Sequence, residues 1–163
     1  MDNNYSFRLA KYEDLNQIME MIKQRQDWFK KNNIKQWSSY LEHHPIEEWN
    51  NLISNNSLYV LSTKNQILGC VEIKFYDNEL WNDTKSLYIH KLCTKVNTQN
   101  IGKIIIENLK EIAIRNNIDK IRLDCLNSNK KLNDIYESYG FKFVKEGFQD
   151  NYYHYNLREL ELI

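Results

Sequence analysis

The chain has 163 residues, with 22 Lys and Arg against 22 Asp and Glu and a formal net charge of zero. Hydrophobic residues make up 42% and charged residues 27%, ordinary values for one soluble domain with its own core, and a balanced charge lacks the basic excess of a nucleic-acid or anionic-membrane binder. Four Gly and one Pro fall well short of the roughly 12% that the two types usually contribute, so each glycine is expected where the backbone requires one.

Phe7 and Leu9 alternate with polar residues and predict a short first strand. Leu15, Ile18, Met19 and Ile22 follow i, i+3, i+4, i+7, the stripe of an amphipathic helix. Residues 24–40 are polar and aromatic without so clean a stripe, which suits a lid or a wall. Pro45 fits the first turn of a second helix over 46–53. The β-rich runs 58–63 and 67–75, joined by Lys64-Asn65-Gln66, have hairpin spacing, and Asn65 tolerates the positive φ of such turns.

Residues 86–94 predict a further strand, and the polar loop 95–99 leads into a helix with Ile101, Ile105, Leu109 and Ile112 on one face. Ile121, Leu123 and Cys125 alternate in a strand over 119–125; Leu132, Ile135, Tyr136 and Tyr139 return to helical spacing. Gly140 then stands where a left-handed C′ residue is wanted. Aromatic strands near 141–144 and 152–157 close the chain. The order βααβββαβαββ combines a meander with one strand–helix–strand crossover, an α+β fold with a mixed sheet in one domain spanning 1–163.

No apolar run approaches the ~18 residues of a membrane span, and Met1-Asp2-Asn3-Asn4-Tyr5 lacks the basic and apolar regions of a signal peptide. Cys70, Cys93 and Cys125, odd in number and without a CxxC, read as reduced thiols buried in strands of a cytoplasmic protein. His43 and His44 are neighbours and cannot share a helix face, so no metal site is expected.

The crossover carries the chemistry. Asn97-Thr98-Gln99-Asn100-Ile101-Gly102-Lys103 places small and amide side chains, one Gly and one Lys at a helix N-terminus, where free N–H groups and the macrodipole favour an anion. Any strand–loop–helix offers the same groups, so this loop alone reads first as an ordinary helix start. Downstream lies Asn129-x-x-Leu132-x-x-x-Tyr136-x-x-x-Gly140-Phe141. With Phe7-Arg8-Leu9-Ala10 and Asp14-Leu15, the hairpin end Ile67-Leu68-Gly69-Cys70-Val71 and Ile89-His90-Lys91-Leu92-Cys93-Thr94, the chain from about Tyr5 to Leu157 resembles the GNAT superfamily of acyl-CoA-dependent N-acyltransferases.

The resemblance implies a mostly antiparallel sheet with a splayed parallel strand pair and flanking helices. It implies that Leu92, Cys93 and Thr94 pair with the pantetheine arm of acetyl-CoA, with a backbone N–H there facing the thioester carbonyl. The family loop, Arg/Gln-x-x-Gly-x-Gly/Ala, holds the CoA pyrophosphate through backbone N–H groups. One register matches Asn97, Asn100 and Gly102 to its marked positions, with Ile101 and Lys103 in the first turn; a rival register matches Gln99, Gly102 and Ile104. In the first, Asn100 must adopt the left-handed conformation of the missing glycine.

The resemblance further implies that Asn129 hydrogen-bonds the pantetheine, against or alongside a helix N-cap role. Tyr136 is the implied general acid for the departing thiolate, against the alternative of a core aromatic. For the base, Glu72 and His90 are candidates beside proton removal through ordered water. Trp37, Trp49, Trp81 and Tyr76 are candidate walls of an acceptor site, although large aromatics more often serve packing. The implied activity is transfer of an acetyl group to a small-molecule amine or a peptide N-terminus by direct attack in a ternary complex; the alternative is a catalytically silent CoA-binding sensor or assembly module. The aromatic run 152–155 suits a homodimer edge, and neither nucleic acid nor membrane is an expected partner.

Overall fold

In the computed structural model, which describes residues 4–38, 40–77, 79–81 and 85–162, the chain opens with strand β1 (Ser6–Leu9) and a 3-10 turn at Tyr12–Asp14. Residues 1–3, part of the N-terminal reading above, lie outside this range. Helix α1 follows (Leu15–Lys31), then a four-residue helix α2 (Tyr40–His43) and α3 (Ile46–Ser54). Strands β2 (Leu58–Ser62), β3 (Ile67–Lys74) and β4 (Leu87–Thr94) precede α4 (Ile101–Arg115), β5 (Lys120–Leu126), α5 (Lys130–Ser138), β6 (Lys142–Gln149) and β7 (Tyr153–Glu161). Two interleaved units emerge, Met1–Ile73 with Lys91–Ile105 and Lys74–His90 with Ile106–Ile163.

In the first unit β1, β2 and β3 form an antiparallel meander, with Phe7 opposite Leu61 and Val60 opposite Cys70. Residues 67–73 of β3 are buried on both faces, which explains why that run is apolar rather than alternating. Of the predicted stripe of α1, Leu15, Ile18 and Ile22 are buried in a core with Trp49, Ile53, Leu58, Val60, Cys70 and Cys93, joined by Met21, while Met19 is half-buried against it. Arg8 ties β1 to the helix start by donating to both Asp14 oxygens, at 2.7 and 2.9 Å, while Asp14 also accepts the Lys11 N–H at 2.8 Å. That Arg–Asp pair is the physical content of the opening Phe-Arg-Leu-Ala…Asp-Leu pattern. The hairpin turn closes through Thr63 N–H to Gln66 C=O at 2.9 Å; Asn65 is not among the residues with positive φ, which corrects the left-handed conformation expected of it.

In the second unit the sheet is mixed. The start of β4 runs parallel to β5, from Leu87 opposite Ile121 to Ile89 opposite Leu123, while β5 is antiparallel to β7 and β7 to β6. Strands β6 and β7 are longer than the sequence suggests. Residue 144 sits at a register shift on β6 that breaks the alternation, and β6 is exposed along most of its length, so no apolar period marks it. Gly140 has φ 98° directly after α5, the expected C′ conformation. Gly147 lies inside β6 opposite Tyr155, and a Cβ there would meet the Tyr155 ring.

Asn133 organises the polar interior of this unit. Its Nδ2 donates to the Leu126 and Asn129 carbonyls, both at 3.0 Å, and its Oδ1 accepts from Asn156 and Arg158, both at 2.9 Å. Such a buried network fixes α5 against β5 and β7 only because every member is satisfied.

Candidate active site

The loop after β4 belongs wholly to the first unit. Asn97 and Asn100 have φ 60° and 63°, a region that Asn enters more readily than other non-Gly residues. Asn100 therefore takes the backbone conformation that the first loop register asks of it. The Thr98 hydroxyl donates to Lys95 C=O at 2.6 Å, and the first helical bond runs from Ile104 N–H to Asn100 C=O at 3.0 Å. The N–H groups of Ile101, Gly102 and Lys103 precede that bond and open from the N-terminus of a fifteen-residue helix. Ile101 and Ile105 are buried and anchor this end, whereas Asn97, Gln99, Asn100 and Lys103 are exposed. The chemistry of this donor set fits an anionic, phosphate-bearing ligand.

Along the end of β4, Leu92 is half-buried and Cys93 buried, and burial pushes the Cys93 thiol up to about 12. The Thr94 carbonyl accepts two donors of Arg25. Lys91 has φ 53° inside the strand, a conformation uncommon for a non-Gly residue and concentrated at functional sites. Its Nζ lies 2.9 Å from Glu72 Oε2 and 3.2 Å from Glu48 Oε1, and Glu48 Oε2 is 2.7 Å from His44 Nδ1. Burial opposes the Lys91 charge, but Glu72 and Glu48 outweigh it and hold its pKa above the ordinary value. Beside this network Trp37 stacks on Tyr40 and Tyr40 packs tilted against His44, each at 4.4 Å between centroids.

Two of the four candidate walls take the packing alternative. Trp49 is fully buried with its indole N–H donated to His44 C=O at 3.2 Å, and Trp81 is 8% exposed under Arg122. Both are core residues, their large apolar area being worth most out of water. Trp37 is half-buried and Tyr76 exposed.

The second unit holds the other candidates. The Asn129 side chain accepts Leu132 N–H at 3.1 Å and caps α5. Tyr136, 7% exposed, meets Phe141 edge-on at 5.8 Å; burial, with the charges of Cys125 and Asp124, pushes its phenol well above the usual tyrosine range. The group is a protonated phenol at neutral pH. His90 Nε2 lies 3.5 Å from Asp77 Oδ2. Asp77 Oδ1 accepts the Glu79 and Leu80 N–H groups at 2.8 and 3.2 Å, and Tyr153 donates to Asp124 Oδ2 at 2.8 Å. Burial raises the Asp124 pKa against the opposing effects of Tyr153 and His90, with Asp77 adding to the rise. Tyr136, Asp124, Tyr153, Asp77 and His90 thus form one electrostatically connected group beyond the last β4–β5 pair. Asp124 and Tyr153 were missed at the sequence level. Their signal was a charged residue inside a strand, Arg122-Leu123-Asp124, whose second face is also covered.

Among the described residues no group of three or more His, Cys, Asp or Glu is placed to hold a metal ion, and no helix is long and apolar enough to cross a membrane.

A family model for acetyltransferases of the GNAT family matches residues 22–141. The uncharacterized N-acetyltransferase YesJ of Bacillus subtilis (strain 168) is 23% identical over 144 residues, covering 83% of this chain and 80% of its own. A GNAT-family acetyltransferase from Listeria monocytogenes 4b F2365 superimposes with a TM-score of 0.78 at 24% identity, covering 97% of this chain and 95% of that one. The PaiA N-acetyltransferase of Thermoplasma acidophilum, crystallised with coenzyme A, gives a TM-score of 0.74 at 19% identity over 97% and 99% of the two chains. With the family model covering well over half its length, the chain belongs to the GNAT family of acetyltransferases.

Proposed function

We propose that residues 1–163 act as one acetyl-CoA-dependent N-acetyltransferase domain that acetylates a primary amine by direct attack in a ternary complex. The observation that carries this reading is the 97–103 segment, where left-handed Asn97 and Asn100 precede three N–H groups free of helical bonding. Two asparagines do the conformational work for which a glycine-poor chain has no glycine.

Acetyl-CoA supplies the acyl group as an activated thioester. For the pyrophosphate the reading uses the loop Asn97, Gln99 and Asn100 with the N–H groups of Ile101, Gly102 and Lys103; the Lys103 side chain is exposed beside them. Leu92, Cys93 and Thr94 contribute strand backbone to the pantetheine, and Asn129 contributes its side-chain amide, while its Oδ1 caps α5. Tyr136 keeps its proton at neutral pH and is the general acid.

Of the two base candidates His90 is favoured. Glu72 is 3% exposed with its carboxylate engaged by Lys91, so in this reading it orders that lysine. His90 stands with its Nε2 3.5 Å from Asp77 Oδ2 and acts electrostatically on Asp124, so in this reading it is the base placed beside carboxylates. The acceptor is a small-molecule amine or a peptide N-terminus, the protein is cytoplasmic, and a homodimer forms through the C-terminal strands.

A thermal-shift titration tests cofactor use. Acetyl-CoA at about 100 times its Kd should stabilise by about 2.7 kcal/mol, roughly 5–10 °C for a chain of this size. No shift at millimolar CoA contradicts the reading.

A further inference from the structure

Arg25, on α1, donates Nε–H to the Thr94 carbonyl at 3.1 Å and Nη2–H to the same oxygen at 2.8 Å. A further Nη2–H reaches Thr94 Oγ1 at 3.1 Å. The guanidinium carbon stands 5.1 Å from the Trp28 ring centroid and 6.0 Å from that of Phe29. No carboxylate among the described residues pairs with it. A guanidinium taken partly out of water is normally matched by a carboxylate; here, among the described residues, three hydrogen bonds go to one neutral residue 69 positions away in sequence, with the Cys93 thiol also beside the guanidinium.

The residue so held is the last of β4. The next N–H, that of Lys95, donates to Leu68 C=O on β3 at 2.8 Å, so the chain is fixed from α1 and from β3 at the point where it leaves the strand. Three residues later begins the 97–103 segment. With both lone pairs of the Thr94 carbonyl filled by the guanidinium fork, that oxygen is withdrawn as an acceptor for a ligand amide.

We infer that Arg25 is a positioning residue for the cofactor strand: by saturating the Thr94 carbonyl it sets the geometry of residues 92–95 and the entry into the phosphate loop, and directs ligand pairing to the strand groups before that carbonyl. The inference rests on the acetyltransferase reading. It concerns a residue outside the strand, the loop and the 129–140 motif.

The test compares wild type with Arg25→Met, which keeps an apolar stem for packing on Trp28 and loses every donor, and with Arg25→Lys, which keeps the charge and a single donor group. CoA affinity is measured by calorimetry, and amide hydrogen exchange over residues 92–100 is followed without ligand. Arg25→Met should weaken CoA about 10-fold, a loss in the range of charge-assisted hydrogen bonds, and exchange faster at 92–100 while α1 stays protected. Arg25→Lys should fall between, and it carries the test if Arg25→Met does not fold. Wild-type affinity in both variants overturns the inference and leaves the functional reading standing. Weaker CoA binding with unchanged exchange also overturns it, because Arg25 would then act through its charge on the phosphates. Absence of CoA binding by wild type defeats the functional reading and this inference together.

Discussion

Gly69 is the place where hairpin strand β3 meets the start of α4, and replacing it with alanine probes that junction directly. A Cβ at Gly69 would lie 2.7 Å from Ile105 Cδ1, 3.1 Å from the Cys93 carbonyl oxygen and 3.1 Å from Ile101 Cγ2. The first contact is well inside van der Waals distance, and the second is backbone and cannot rotate away. Overpacking of this kind costs about 1–3 kcal/mol, which lowers Tm by roughly 2–12 °C at this chain length. The cause can be isolated with Ile105→Val, which removes the clashing methyl and alone costs about 0.5–1.5 kcal/mol. Urea unfolding of wild type, both single variants and the double variant closes the cycle. The double variant should be more stable than the sum of the singles implies by about 0.5–1.5 kcal/mol, within the range of directly contacting pairs. Residual destabilisation from the Cys93 carbonyl should remain. Additivity within about 0.3–0.5 kcal/mol, or a neutral Gly69→Ala, would refute the claim that this glycine exists for close approach.

Three further outcomes follow from the same structure. Asn129→Ala should lose a helix cap worth about 0.5–2 kcal/mol, whereas Asn129→Asp should retain stability yet weaken CoA if the amide donates to the pantetheine; equal CoA affinity in Asn129→Asp would confine the residue to capping. The Asp14 carboxyl is held below its usual range, chiefly by the Arg8 hydrogen bond and against its own burial. Its contribution is therefore present above the unfolded pKa of about 3.9 and lost as pH falls through the lower native value. Denaturant melts should show a constant gap between wild type and Asp14→Asn from pH 5 to 7 that narrows in stronger acid, and a gap unchanged down to pH 2 would contradict the pairing. Burial raises Cys70, takes Cys93 to about 12 and Cys125 to about 11. A thiol at 11 is only ~0.1% thiolate at pH 8, against about a quarter for a free cysteine, so native protein should react with a disulfide reagent far more slowly than unfolded protein; rapid labelling would show that the thiols are accessible.

Much of this arrangement is legible in one sequence because it is local. The α1 stripe, the α4 stripe, the Gly140 cap and the left-handed Asn100 each depend on residues within a turn or two of one another, where periodicity and conformational preference suffice. The hairpin also reads correctly, although its turn does not use the positive φ that Asn65 offers. Contacts between distant segments are not legible. Arg25 looks like any charged residue on a helix, and nothing near it announces Thr94. Lys91 reads as a surface lysine until its strand bends and two glutamates from β3 and α3 close on it. Trp49 and Trp81 show the same limit: a large aromatic among polar neighbours suits a wall or a core, and only packing decides for the core. The exposed strand β6 carries no apolar period, so its length emerges from pairing with β7 alone.

The central claim is amine-dependent acetyl transfer with Tyr136 as the acid, and thiol release from acetyl-CoA tests it most directly. Wild type and Tyr136→Phe are each mixed with acetyl-CoA and a panel of primary amines and peptide N-termini, and the appearance of free CoA thiol is followed. Wild type should release thiol only when a suitable amine is present. Tyr136→Phe should bind CoA as wild type does and lose roughly 10²-fold or more in kcat, the usual worth of a positioned acid. CoA binding by wild type with no amine-dependent release across the panel would contradict catalysis and favour a sensor, and full activity in Tyr136→Phe would remove the tyrosine from the mechanism.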